Sequence, residues 1–514
     1  MTDMAQNVKK IVIVGGGTAG WMTAAFLSKL YQTDKSTLVS IDLIESIEQP
    51  ALGVGEATIQ SFRFFLQTLG ISEGEFLLHT NATLKHGILF KNWNDPTSIT
   101  DQYFHPFESA APLSAEPQIN HWLNVKTRSS NCERYDRWHS VQPILAAANK
   151  SPKSLTDPDY SGSVPYGYHL DATKLAEFLA NFAIKNGVKR HFGNVNTIKK
   201  TDSNLIESVS TETEEFIADI FFDCSGFKSL LIQSCGASFK SLSHLLPCDK
   251  AVSHRLVVDR DTYLPKPYTT ATARKAGWTF DIDLFDRKGL GYVYSSKHIS
   301  DDEAEAEFRS AFNIGKELAV NRFQTRVGRQ ESAWIGNCIC IGLSQGFIEP
   351  LESTGLHFIE MSLRYLVDLL DANNGLPAAA AKFNQLINAT FDQAVDFVIM
   401  HYRLTQRKDS SFWQNAGNSE FLSAEFAETF AQWKLRPPAG IDFAGKTFIF
   451  SESSYSCILY GMGYDTKLPF RMKGYSLEDS LKVKKDLEQI QKSVLTNSIP
   501  HIDLVTKLRS AFVY

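Results

Sequence analysis

Apolar and polar residues follow two periods along the chain. "KIVIV" (residues 10–14) is a short β-branched run that reads as a buried strand, and "WMTAAFLSKL" (21–30) follows as a helix. A second strand is expected over residues 38–44, ending at Glu45. "LKHGILFKNW" (84–93) alternates like one half-buried strand, so Lys85 would share a face with Gly87, Leu89 and Lys91. Further on, "FIADIFFDCSGFKSLL" (216–231) reads as a strand running into Asp223, Cys224, Ser225 and Gly226. The stretch 337–367 reads as a strand, a glycine-containing loop and a helix, in which Leu356, Ile359, Leu363, Leu366 and Leu370 mark one buried face. Pro377 opens another apolar helix, and the C-terminal third is read as largely helical. In "SLEDSLKVKKDLEQIQKSV" (476–494), Ser476 and Asp479 suit an N-terminal cap and Val483, Leu487, Ile490 and Val494 one face. Fewer than three heptads point to packing against the protein's own body rather than a coiled coil.

Between the first strand and its helix stand Gly15, Gly17 and Gly20, in the spacing G-x-G-x-x-G, with Thr18 and Ala19 inside the turn. Glycines there allow a tight turn and close backbone approach, and the helix N-terminus offers N–H groups to a pyrophosphate. Glu45 suits a ribose hydroxyl and is ill suited to a 2′-phosphate. A second complete fingerprint is absent. The strand-loop-helix some 320 residues later, with Ser344 in its loop, completes the layout by which flavoproteins enclose an extended FAD, so the flavin must be reduced by something else. The fold expected is α/β: an FAD-binding, Rossmann-like flavin module of the glutathione-reductase type over residues 1–375, with substrate-facing insertions at about 96–165. A smaller, mostly helical substrate or lid module would occupy 376–514.

The 514 residues are 43% hydrophobic, enough for a large core. A net charge of −5 and the lack of a dense basic stripe speak against nucleic acid or an anionic membrane as partner. No run of about 18 apolar residues occurs, and the apolar stretch near the start is too short for a signal peptide. The seven cysteines are scattered, and Cys338 with Cys340 lacks zinc-site spacing, so they read as reduced thiols of a cytoplasmic protein with no metal site.

Three stretches resemble the flavin-dependent tryptophan halogenases: "GVGEATIQSF" (53–62), "NATLKHGILFKNW" (81–93) and "GFIEPLESTGLHFIE" (346–360). Weaker echoes at "YHLDATKLAEFL" (168–179), "HYRLTQRKDSSFW" (401–413) and "ILYGMGY" (458–464) extend the resemblance over nearly the whole chain. It implies that Lys85 is the catalytic lysine, with Glu352 and Ser353 beside it, and that "GVGEAT" is a strap placing Ala57 and Thr58 near the flavin ring. On the residues alone, the favoured reading is that Glu349 and Glu352 decorate a helix N-terminus and Ser353 or Thr354 caps it, with an anion site at the unpaired amides of Thr354 and Gly355 as the alternative. The resemblance selects the second reading, with halide held there. It further implies that reduced FAD (FADH2), O2 and halide yield hypohalous acid, which reaches Lys85 through an internal tunnel. Lys85 would carry or polarise the halogen, and Glu352 would orient it and help deprotonate the ring. A separate NAD(P)H-dependent flavin reductase is the implied partner, and a homodimer is compatible with the chain.

"QYFHPFE" (102–108) resembles the family segment that sandwiches an indole, making His105 and Phe107 substrate residues, with Trp278 and Phe280 as further pocket candidates. The family's W-x-W-x-I-P box falls at "GWTFDIDLF" and reads Trp278, Phe280, Ile282, Asp283. An aspartate near the flavin would disfavour halide, chloride more than bromide, so bromide is expected to be preferred. Because the C-terminal segment lacks the family's polar clamp, an indole or other electron-rich ring is expected rather than free tryptophan. The alternatives are a flavin monooxygenase of an aromatic substrate and a non-catalytic, flavin-binding redox sensor.

Overall fold

Ile11, Val12 and Ile13 are fully buried because their strand, Lys10–Val14, lies in the middle of a six-stranded sheet covered on both faces. The computed structural model describes residues 8–35, 39–47, 55–98, 101–110, 113–371, 376–444 and 449–512. Parallel neighbours of the first strand are Ser40–Glu45 and Ile220–Asp223, with Val14 opposite both Ile44 and Asp223. Lys189–Phe192 extends the sheet on one side, and Cys338–Cys340 followed by the antiparallel Trp334–Ile335 on the other. The strand expected over 38–44 is thus Ser40–Glu45, position 38 lying outside the described residues. Helix Thr18–Tyr31 packs against Ala172–Lys185 and Gly355–Asp371. The carboxyl ends of the central strands therefore gather Gly15, Glu45 and Cys224 at one edge, where ligands of such sheets bind.

A seven-stranded sheet runs in the order Asn321–Gln324, Lys250–Val257, Arg287–Tyr294, Gly277–Asp283, Thr269–Arg274, Gly87–Lys91 and Gln102–Pro106. All its pairs are antiparallel except Thr269–Arg274 with Gly87–Lys91. The run 84–93 is consequently not one strand. Thr83–Lys85 pairs with Gly167–Leu170, which also pairs with Glu56–Ala57, and the chain then turns into the large sheet. Gly87 makes the corner: its φ is +156° and a Cβ there would lie 2.1 Å from the His105 carbonyl oxygen. Lys85 is fully buried while Leu89 and Lys91 are half-buried, so the common face expected for them does not exist.

The five apolar positions expected on one face of helix Gly355–Asp371 are all buried. The helix after Pro377 spans Leu376–Leu404 and packs along it. Helices Gln118–Arg128, Tyr135–His139 and Gln142–Ala147 pack on Leu477–Asn497, whose capping box from Ser476 and Asp479 is formed. That last helix is rotated from the expected face: Ser480, Lys484, Leu487 and Gln491 are buried and Ile490 is 47% exposed. Its polar positions turn inward because they find partners, Lys484 on Glu133 and Gln491 on the carbonyls of Arg137 and Ser140. Six cysteines are buried, Cys132 is half-buried, and all are free thiols. No described helix is long and apolar enough to cross a membrane.

Candidate functional site

The three glycines of the first turn have different duties. A Cβ on Gly15 would lie 2.2 Å from the Cys224 carbonyl oxygen, and one on Gly20 would lie 1.8 Å from that of Gly15, so both permit backbone packing. Gly17 would place a Cβ with nothing within 4 Å. It faces a cleft of about 1120 Å³ that runs from Gly15–Ala19 and Glu45 past Gly55, Glu56 and Ala57 to Trp278, Phe280, Phe347, Ile348, Ser353 and Gly355. That length and volume suit an extended dinucleotide with its phosphates at the Gly17 end. Glu45 is fixed by Trp21 Nε1 (3.2 Å) and Arg190 Nε (2.9 Å). Ser344, expected against the cofactor, lies fully buried and donates to Asp223 Oδ1 (3.1 Å) and the Gly226 carbonyl (3.0 Å); it ties the two loops behind the cleft instead of facing it. Of the expected strap, positions 53 and 54 lie outside the described residues.

Across the inner wall of this cleft stands Lys85. Its Nζ donates to Ser353 Oγ (2.8 Å) and to the Thr58 carbonyl (3.2 Å) and lies 5.3 Å from the centre of the Phe107 ring. Ser353 has a left-handed backbone (φ +59°), a conformation a serine rarely adopts, and it both lines the cleft and holds the lysine. Thr58 is likewise shared, following Ala57 of the cleft wall and accepting from Lys85. Burial pulls the Lys85 pKa from its ordinary 10.5 down to about 7, against the raising effect of the Glu352 charge. Around its strand, His86, His169 and His501 are kept neutral by burial.

Glu352 is 2% exposed and each of its oxygens is engaged: Oε2 with His105 Nδ1 at 2.8 Å, Oε1 with His401 Nε2 at 2.7 Å. Burial drives the His401 pKa well below the imidazole range, so this ring is neutral and carries its proton on Nε2, where it donates to the carboxylate. His105 also lies 5.7 Å from the Phe397 ring and 6.2 Å from Phe450, which stack on each other at 3.7 Å. Lys85, Glu352, Ser353, His105 and Phe107 thus come together in one largely buried cluster beside the cleft. Thr354 and Gly355 begin the helix between the cleft and that cluster, Thr354 buried and Gly355 open to the cleft.

Trp278 and Phe280 are placed elsewhere than expected, in the wall of the cleft rather than with His105 and Phe107. Asp283 does not face the cleft. Its Oδ1 pairs with Lys288 Nζ at 3.0 Å, its Oδ2 accepts from the Lys266 amide at 2.9 Å, and Ile282 takes the cleft position. The alternation of the strand turns that carboxylate away, so the electrostatic ground for a bromide preference is absent. Two participants went unread in the sequence: His401, which follows the apolar run "FVIM", and Phe450, within the segment that has no clear family counterpart.

Residues 10–473 match the family model described as tryptophan halogenase. The chain is 35% identical over 484 residues to a tryptophan 6-halogenase of Streptomyces toxytricini, spanning 89% of this chain and 90% of that one. With a tryptophan 7-halogenase of Lentzea aerocolonigenes it shares 36% over 488 residues, 90% of each. The crystal structure of a tryptophan halogenase from Shewanella frigidimarina NCIMB 400 superposes with a TM-score of 0.92 at 30% identity, covering 99% of this chain and 98% of that one.

Proposed function

Because the chain belongs to the tryptophan halogenase family, a family of flavin-dependent enzymes, we propose that it transfers halogen from hypohalous acid, through Lys85, to an indole-like or other electron-rich ring. The observation carrying this reading is Lys85 itself, a buried amine bonded to Ser353, which lines the dinucleotide-sized cleft, and to the carbonyl of Thr58, beside the buried cluster that holds Glu352. Bound as FADH2, the cofactor supplies the reduction of O2, which with halide and a proton gives FAD, water and hypohalous acid. The chain holds FAD through the open backbone face at Gly17 and the carboxylate of Glu45, and the amides of Thr354 and Gly355 receive the halide at the positive end of their helix.

Hypohalous acid then passes Ser353 to Lys85. With a pKa of about 7 the amine is available in both forms near neutrality. The neutral amine can bond the halogen and release water; the ammonium can donate to the oxygen and polarise it. Either way the halogen is delivered at one place, and ring position follows from how His105, Phe107 and Phe450 orient the substrate. Glu352, held from both sides by histidines, accepts the ring proton. The two relatives named above act at positions 6 and 7, so likeness assigns no regiochemistry. Bromide would be favoured over chloride only by its easier oxidation and desolvation.

Protein, FAD, a separate NAD(P)H flavin reductase and NADH are incubated with a panel of indoles and either chloride or bromide, and products are read by mass spectrometry. Halogenated product supports the reading. Oxygenated product alone would favour the monooxygenase alternative, to which the altered Phe280 in the cleft wall lends its one structural argument.

A further inference from the structure

Glu349 is used by none of these steps. It is 1% exposed, and lies between Ile348 and Pro350, both of which line the cleft. Trp278 Nε1 (3.3 Å) and the Tyr402 hydroxyl (3.0 Å) both donate to its Oε2. Among the described residues no N–H or O–H group donates to its Oε1, and the one further group engaged with the carboxyl is the Cys248 thiol, a weak donor. A carboxylate would spread its charge over both oxygens and leave one of them unsolvated and unpaired. A carboxylic acid costs less there: the carbonyl oxygen Oε2 accepts two bonds, and Oε1 carries the proton as a neutral hydroxyl, cheaper to bury than a charge.

Trp278 stands on the seven-stranded sheet and bonds to Glu349, in the loop leading to Ser353, whereas Gly17 belongs to the first turn of the six-stranded sheet; with the phosphates at Gly17, the flavin ring falls on the Trp278 side. Resting on the functional reading above, we propose that Glu349 is a positioning residue held as a neutral carboxylic acid, which with Tyr402 fixes the Trp278 indole as the wall of the flavin-ring end and keeps negative charge away from the halide. Residues 401 and 402 then divide the work: His401 orients Glu352 on the substrate side, Tyr402 orients Glu349 on the cofactor side. One helix end registers both faces of the wall.

Burial supports the neutral form, raising the Glu349 pKa to about 7. The other titratable groups facing it are Tyr402, from the long helix, and the Cys248 thiol, before strand Lys250–Val257; burial pushes both well above their ordinary values, so neither ionises near neutrality. A negative charge therefore appears behind Trp278 as pH rises through about 7 and is absent below it.

The direct test is an infrared difference spectrum, wild type minus Glu349→Gln, on flavin-free protein at pH 6. The carbonyl stretch of a protonated carboxyl group is expected; a difference confined to carboxylate bands overturns the proposal. The second test compares halide KM at pH 6 and 8.5: wild type should rise about fivefold or more beyond any rise in Glu349→Gln, which keeps the Lys85 titration but carries no charge at 349. Equal rises in both variants overturn the electrostatic half. Tyr402→Phe, in protein that melts cooperatively, should raise the share of O2 released as hydrogen peroxide at least about threefold, and an unchanged share overturns the positioning half. Were wild type to make no hypohalous acid, the functional reading would fail while the infrared result still decided the state of Glu349.

Discussion

Replacing His401 by phenylalanine removes one of the two bonds that hold Glu352 and little else. The ring already sits among Phe90, Trp93 and Phe397, with centroids at 4.9, 6.0 and 5.4 Å, so a phenyl group fits the space. Lost is an N–H donated to a carboxylate at 2.7 Å in a fully buried position. Hydrogen bonds to charged groups contribute about 1.5–3 kcal/mol. Spent on orienting Glu352 for proton removal, that is roughly a 10- to 150-fold loss in the rate of halogenated product. His105 still holds the other oxygen, which sets the residual activity. Hypohalous acid, captured by a small-molecule trap, should form as before, because His401 does not line the cleft. Glutamine, which can donate, should restore part of the lost rate. Product formation within about twofold of wild type in folded His401→Phe would refute the argument.

Gly17→Glu should fold, since the position opens onto the cleft, and should abolish FAD binding by placing a like charge in the phosphate site, as read by flavin fluorescence titration. Lys85→Met should melt at higher temperature than wild type. Wild type must keep or lose a buried proton on Lys85 at a cost of a few kcal/mol below pH 7, and this cost vanishes as pH rises from about 7 toward 10.5, so the two melting curves should converge in alkali. Asp283→Asn should leave the ratio of bromination to chlorination unchanged, because the carboxylate is paired with Lys288 outside the cleft; a shifted ratio would return Asp283 to the halide site.

The nucleotide half of the site is legible in the sequence because Gly15, Gly17 and Gly20 fix a local backbone shape that no distant contact needs to supply. Lys85 is not: its run alternates like an ordinary strand, and only Gly87, forced to turn by the His105 carbonyl, betrays a corner that sends the lysine inward. The pairing of Lys85 with Ser353 joins residues 268 positions apart, and motif resemblance rather than pattern brings them together. His401 looks like a histidine in an apolar core, which it is; its partner Glu352 lies on another element, and the signal available was one polar residue on the buried face of a helix. Ile490 was expected inside because apolar periodicity cannot see that Lys484 and Gln491 have partners waiting on the neighbouring helices.

The central claim is that Lys85 acts on hypohalous acid after it has formed in the cleft. Lys85→Ala, supplied with FAD, reductase, NADH, bromide and an accepted indole, separates the two stages when O2 uptake, trapped hypohalous acid and halogenated indole are followed together. The account predicts wild-type uptake and trapped oxidant with enzymatic halogenation of the indole abolished, and regioselective product formed at near wild-type rate by Lys85→Ala would contradict it.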